Sequence, residues 1–181
     1  MSKYTITQAA AERLLRDLDI AVVKTMSRVV ADAREHLWLL ENINTTDVLT
    51  DTDFQRRLCR HVGMRGKLRM RRDELFLILD GIRRVPNRNY PDVLMQISEL
   101  TGQVEKSVAS EVLALLEPDQ PTIDREVREL MPRYGFQPLP ESPLFDECVA
   151  YHRCLRQVLM QVLEVPLASQ LLGQLDQQIG A

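Results

Sequence analysis

The spacing of apolar residues in the N-terminal part of the chain constrains the fold more than any other feature. Between Thr7 and Asn42, apolar side chains recur at steps of three and four residues, so a helix would place them along one side. This spacing predicts one long helix, or two helices with a break between them, whose apolar stripe packs in the core. The stripe consists of Leu14, Leu15, Leu18, Val22, Met26, Val29, Val30, Ala33 and Leu37.

Helical patterns continue through the rest of the chain. Only seven glycines occur in 181 residues and β-branched runs are scarce, so no strand is expected. We predict an all-α protein with about seven to nine helices in one globular domain. Further helices are expected at 52–62, 67–84 and 90–101, after Gly102, and at 124–131, 144–164 and 165–179, with an irregular proline-rich link at 132–143.

The single predicted domain covers residues 1–181 and divides into three parts. Residues 1–45 form a long helical region, residues 52–143 contain a basic segment and a helical hairpin, and residues 144–181 form the C-terminal helices. In the loop before the second part, Thr50 or Asp51 is a plausible N-cap for the helix that follows. The middle part carries every residue to which we assign a candidate function.

Charge is distributed unevenly along the chain. The segment Phe54–Arg72, called the basic segment below, has eight Lys or Arg and no acidic residue, whereas the whole chain has a net charge of −3. Lys and Arg on a glycine-interrupted turn can follow a nucleic-acid backbone, so this segment is a candidate for phosphate contacts. Its candidate nucleic-acid-binding residues are Arg56, Arg57, Arg60, Arg65, Lys67, Arg69, Arg71 and Arg72.

Other classes of protein find little support in the residues. The start Met1–Thr5 lacks the basic-then-apolar order of a secretory signal, and no stretch approaches the ~18 apolar residues of a membrane span, so we expect a cytoplasmic protein without membrane contact. Cys59, Cys148 and Cys154 are odd in number and lack paired spacing, which predicts reduced thiols, no metal ion and no cofactor. His152, four residues after Cys148, is expected at the surface.

A hairpin in the middle of the chain places a lysine and an aspartate at the starts of two consecutive helices. The tract Leu100–Lys106 resembles the hairpin of the helix-hairpin-helix base-excision DNA glycosylases, the superfamily of endonuclease III and 8-oxoguanine glycosylase. Their hairpin reads roughly leucine-proline-glycine-x-glycine-x-lysine, and an aspartate follows a second helix. Lys106 corresponds to that lysine, Asp124 to that aspartate, and Gly102 to a glycine that contacts DNA.

The resemblance implies a specific chemistry. The lysine attacks the deoxyribose C1′ and must be neutral, although its unperturbed pKa is ~10.4, so a helix N-terminus or burial has to depress it. The aspartate stabilises positive charge on the sugar, and an N-cap position would hold it in place. On this basis Lys106 and Asp124 are the candidate catalytic residues, and DNA is the expected partner.

A second alignment with the same superfamily moves the lysine position. The tract Ser107–Glu111, followed by Pro121–Asp124, is also similar to a group of bacterial proteins related to 8-oxoguanine glycosylase, and there the lysine position is Glu111. Thr101 and Val104 replace the proline and second glycine of the hairpin, and the four-cysteine iron–sulfur loop of the endonuclease III branch is absent. The second alignment therefore implies a relative that has lost lyase chemistry.

Three interpretations remain open from the sequence alone. The chain is a DNA N-glycosylase or lyase, or an inactive relative that keeps the fold. Alternatively, it is a non-enzymatic scaffold that forms a homodimer through its long N-terminal helix and the leucines of its last helix. A third interpretation is a nucleic-acid-binding regulator that depends on the basic segment and not on Lys106.

Overall fold

A computed structural model describes residues 6–180; Met1–Thr5, Ala181 and the side chains of Val22 and Val23, hence the predicted stripe position Val22, lie outside the described residues. In that range all regular secondary structure is helical, without a strand, and the chain forms one domain, which confirms the predicted all-α class. The helices are α1 (Gln8–Asn42), α2 (Thr52–His61), α3 (Gly66–Met70), α4 (Arg72–Arg83), α5 (Tyr90–Thr101), α6 (Lys106–Leu116), α7 (Arg125–Leu130), the 3₁₀ helix Met131–Tyr134, α8 (Phe145–Leu163) and α9 (Pro166–Gly180).

Helix α1 is the long helix that the apolar stripe predicts, with a break at Thr25 (φ −124°, ψ 19°). Its ends enter the core, where Leu14, Leu15 and Leu39 are buried, whereas the apolar residues between them whose side chains the structure describes are only partly buried or exposed. Leu37, for example, is 41% exposed. A helix of 35 residues is about 52 Å long, more than the width of a domain of this size, so the core covers only part of the stripe.

The basic segment folds into α2, α3 and the start of α4. Asp51 caps α2 as expected, because its carboxylate accepts the backbone N–H groups of Asp53 and Phe54. The single helix predicted at 67–84 is wrong, since Arg71 (φ −111°, ψ 37°) separates α3 from α4. Neither glycine nor proline stands at the break, so tertiary packing decides it: Leu68 is buried before it, and the Arg72 guanidinium after it bonds to Gln55 of α2.

Helices α5 and α6 form the hairpin at the centre of the domain. Gly102 ends α5 in the left-handed conformation (φ +68°), which glycine adopts without strain, and its N–H donates to Ser98 O at 2.8 Å. Helix α6 is nearly enclosed by its neighbours, with Val112 and Leu113 at most 1% exposed. The charged residues of α6 are Lys106, in its first turn, and Glu111.

Helix α8 packs on the hairpin and then turns sharply into α9. The expectation that His152 lies at the surface is wrong: it is 4% exposed, and its ring stacks on Tyr90 at 4.0 Å between centroids. Burial lowers the pKa of His152 to about 4, so the stacked ring is neutral. In the described part of the chain, no single helix is long and apolar enough to cross a bilayer; only α8 and α9 together, bent by 87°, meet that criterion.

Candidate active-site cavity

A cavity of about 790 Å³ lies between α1, the end of α2, α6 and the start of α7. Glu111 of α6 and Asp124 before α7 face it together, and three further carboxyl groups in its lining belong to Asp32, Glu35 and Glu126. The remaining lining also includes four arginines and two histidines. The lining residues used below are Arg28, His36, Arg60, His61, Arg65 and Arg125.

Two serines of α6 hold the segment before Asp124 against the helix. The Ser107 hydroxyl donates to Ile123 O at 2.8 Å, and the Ser110 hydroxyl oxygen accepts the Ile123 N–H at 2.7 Å. Ile123 is fully buried, which anchors the segment further. The next residue, Asp124, caps α7 as predicted, since its carboxylate accepts the Val127 N–H at 2.7 Å. The cap leaves Asp124 on the cavity wall beside Glu111.

Glu111 is the more unusual of the two carboxyl groups. Its Oε2 atom is buried and has no hydrogen-bond partner. Burial, and then the negative charge of Asp124, raise the pKa of Glu111 to about 8. Glu111 is therefore a protonated acid at neutral pH, next to the carboxylate of Asp124. Two neighbouring carboxyl groups in different protonation states form an acid and a base suited to catalysis.

The guanidinium groups around this cavity differ in how they are paired. Arg28 contacts Glu126 at 3.3 Å, and Arg60 contacts Glu35 at 3.4 Å. Arg125 pairs with Glu129 at 2.6 Å. Arg65 is exposed and has no ion pair among the described residues. Glu126 and Glu129 are exposed, so an anionic ligand can displace them from Arg28 and Arg125 at little cost.

His36 and His61 contact each other on the wall formed by α1 and α2. Their Nδ1 and Nε2 atoms are 3.3 Å apart, which fits one shared hydrogen bond between neutral rings. Burial lowers the pKa of both, and the pKa of His36 is lowered further by the charge of His61. Sequence inspection gave His36 no role beyond packing, because residues in separate helices carry no spacing signal.

Lys106 lies on another side of α6. It lines a cavity of about 400 Å³ with Gln103, Glu141 and Pro143, and its Nζ atom is 3.5 Å from Glu141 O. Burial, and then the charge of Arg128, lower the pKa of Lys106, the direction that a nucleophilic lysine requires. However, Lys106 and Asp124 do not share a cavity. Glu111 is five positions after Lys106 in α6, which turns their side chains about 140° apart around the helix.

In α2, the arginines predicted to contact nucleic acid are partly held by acidic neighbours. The Arg57 guanidinium lies 3.0 Å from Glu35 and 3.0 Å from Asp53, and 4.2 Å over the Trp38 ring. Arg56 also pairs with Asp53. Arg57 is thus the member of the basic segment that is most strongly engaged within the domain.

In the second half of the basic segment, the cations are mostly free of acids. Arg65, Lys67, Arg69 and Arg71 are exposed, and within residues 6–180 they form no ion pair. Lys67 and Arg71 line a cavity of about 430 Å³ with Gly102, and the Lys67 ammonium approaches Thr101 O at 3.4 Å. The structure therefore brings the predicted hairpin glycine together with two of the predicted cations.

Cysteines and histidines do not gather into a further site. Among the described residues, no group of three or more His, Cys, Asp or Glu is arranged to hold a metal ion. Cys148 is buried beside Lys106, and burial raises the pKa of its thiol to about 11.

Comparisons with protein-family models, with curated proteins and with solved structures returned no match.

Proposed function

We propose that the chain interacts with nucleic acid and hydrolyses an N-glycosidic bond at the Glu111–Asp124 cavity, as a base-excision glycosylase without the lyase step does. The observation that carries this proposal is the carboxyl pair in one cavity, with the pKa of Glu111 raised to about 8. Glu111 occupies the lysine position of the second alignment, and the serines of that tract hold Asp124 beside it.

In the proposed reaction, Glu111 transfers a proton and Asp124 acts electrostatically. Protonated Glu111 donates its proton to the departing base, so the bond between the base and C1′ breaks without an anionic leaving group. Negative Asp124 stabilises the positive charge that develops on the sugar. Water then adds to C1′ and returns a proton to the Glu111 carboxylate. The products are a free base and an abasic sugar, and no Schiff base forms.

The arginines around the cavity, which share its lining with Asp32, Glu35 and Glu126, are the groups proposed to contact a nucleic-acid substrate. Arg28, Arg60, Arg65 and Arg125 are at the rim of the cavity, where they can contact phosphates that flank an extruded nucleotide. Lys67 and Arg71 line a second cavity at the hairpin with Gly102 and Glu99, and the two cations can contact phosphates there. A cavity of about 790 Å³ also has the volume of a small-molecule site, which can admit a single base.

Abasic-site formation on duplexes that each contain one damaged base tests this proposal. We expect product strands to break only after alkali treatment, with no borohydride-trapped cross-link, and Glu111→Gln or Asp124→Asn to reduce the rate at least ~100-fold. The exposed residues Glu164 and Asp176 supply matched controls, Glu164→Gln and Asp176→Asn, which should keep the full rate.

Two outcomes would contradict the proposal. A cross-link that disappears in Lys106→Ala would instead assign the chemistry to the lysine of the first alignment. No abasic site on any substrate, with salt-sensitive binding retained, would leave a nucleic-acid-binding protein without catalysis.

A further inference from the structure

A second, smaller cavity in the basic segment has an unusual lining. It has a volume of about 290 Å³ and lies between α2, the turn after α2, α3 and the start of α4. Four guanidinium groups line it and no acidic residue does. The complete lining is Arg56, Cys59, Arg60, Met64, Arg69 and Arg72.

The arginines from α3 and α4 carry charge that no carboxylate neutralises. Arg69 is exposed and forms no ion pair within the described part of the chain. Arg72 is half-buried: its Nη2 atom donates to Gln55 Oε1, and its Nε atom is buried without a hydrogen-bond partner. Because the Nε atom is enclosed, a ligand in the cavity would contact the other nitrogens of the Arg72 guanidinium.

Arg56 and Arg60 are paired at the outer side of the same cavity. Asp53 contacts Arg56, and Glu35 contacts Arg60 at 3.4 Å, but both acids lie outside the lining. Each of these two arginine side chains is at least 70% exposed. Because exposed ion pairs contribute little, a strong anion in the cavity can compete for both guanidinium groups.

We propose that this cavity binds the terminal phosphomonoester of a nucleic-acid strand. Planar guanidinium groups bond two phosphate oxygens at once, so several of them around one small space recognise a phosphoryl group. A terminal phosphomonoester carries close to two negative charges and three terminal oxygens, whereas an internal phosphodiester carries one charge. Four guanidinium groups in a cavity that no acidic residue lines fit the phosphomonoester better. The inference rests on the proposed function only in taking nucleic acid as the carrier.

Equilibrium binding of undamaged oligonucleotides tests the site without any reaction. Three strands of one sequence are compared by fluorescence anisotropy, with a 5′-phosphate, a 3′-phosphate or hydroxyl groups at both ends. We expect one phosphorylated strand to bind ~10-fold more tightly than the hydroxyl strand, and millimolar inorganic phosphate to abolish that preference. Which phosphorylated strand is preferred identifies the end that the cavity reads.

Variants assign the preference to the cavity. Arg69→Gln and Arg72→Gln should reduce the ~10-fold ratio to ~1, while Arg16→Gln, on the exposed side of α1, should keep it. Arg69 is exposed, so its variant remains informative even where loss of the half-buried Arg72 perturbs folding.

Equal affinity for all three strands in the wild-type protein would overturn the inference and leave internal phosphates as the only contacts. Repeating the measurement in Glu111→Gln separates it from the proposed function. A preference for phosphorylated strands without abasic-site formation would support the phosphate site and contradict the proposed glycosylase activity. Abasic-site formation without that preference would support the activity and contradict the phosphate site.

Discussion

Two cavities on different sides of α6 show how one helix can present two different chemistries. On one side, Glu111 is buried beside the negative charge of Asp124, and its pKa is raised to about 8. On the other, Lys106 is half-buried beside a backbone carbonyl, and its pKa is lowered. Burial favours the neutral form of both side chains, but only Glu111 lies next to Asp124, the second residue of the proposed reaction. Rotation around α6, more than spacing along the chain, selects the residue that meets Asp124.

The largest expected effect concerns the pH dependence of stability. Because the pKa of Glu111 is raised from 4.5 to about 8 on folding, the folded protein retains a proton that the unfolded chain releases in this range. The contribution of Glu111 to the free energy of unfolding should therefore fall by ~4 kcal/mol as pH rises from about 4.5 to about 8. Buried His152, whose pKa is lowered to about 4, has the opposite effect up to pH ~6.5, so the loss is read from the difference between the wild-type protein and the variant. Glu111→Gln should abolish this loss, as measured by urea unfolding across the range, whereas Glu164→Gln should preserve it.

The same pH dependence of stability in Glu111→Gln and in the wild-type protein would contradict the contrast drawn between the two sides of α6. It would mean that Glu111 is hydrated in solution and that the two sides of α6 differ less than their surroundings indicate.

An intermediate effect is expected at the serine contact that places Asp124. Ser110→Ala would leave the buried Ile123 N–H without its acceptor, at a cost of ~2 kcal/mol in the free energy of unfolding. With the segment released, Asp124 should also move from Glu111, and the pKa of Glu111 should decrease. Chemical denaturation and a carboxyl NMR titration measure the two effects. Ser169→Ala, at an exposed position of α9, is the control and should change neither.

The smallest effect is expected at Lys106. Its ammonium makes one long hydrogen bond, to Glu141 O at 3.5 Å, so Lys106→Gln should change the free energy of unfolding by less than ~0.5 kcal/mol. Thermal unfolding at neutral pH measures it. A loss of stability comparable with that of Ser110→Ala would show that the side chains around Lys106 contribute as much to stability as those around the Glu111–Asp124 cavity.

The helices could be predicted because their signals are local. Three- and four-residue spacing of apolar side chains, Asp51 and Asp124 as caps, and Gly102 after α5 each depend on neighbours within a few residues. The break at Arg71 lacks such a signal, because packing of distant residues produces it. The exposed middle of α1 could not be predicted either, since periodicity shows which side is apolar but not how much of it is covered.

The candidate site was predictable only in part for the same reason. Asp124 was identified from its cap position and its distance from the hairpin, and the structure places it on a cavity wall. Lys106 and Glu111 were both compatible with that aspartate until the rotation of α6 was known. The meeting of His36 with His61 depends on how α1 crosses α2, which a single sequence does not encode locally.

The contact between α1 and the end of α9 has a practical consequence for the design of fusion proteins. The Arg34 guanidinium bonds to the carbonyl oxygens of Gln178 and Ile179, so the last turn of α9 is fastened to α1. Ala33, Glu35 and His36, the neighbours of Arg34, line the large cavity. A fusion partner joined to the last turn of α9 would thus lie beside the helix that forms a wall of this cavity, so it needs a long flexible spacer.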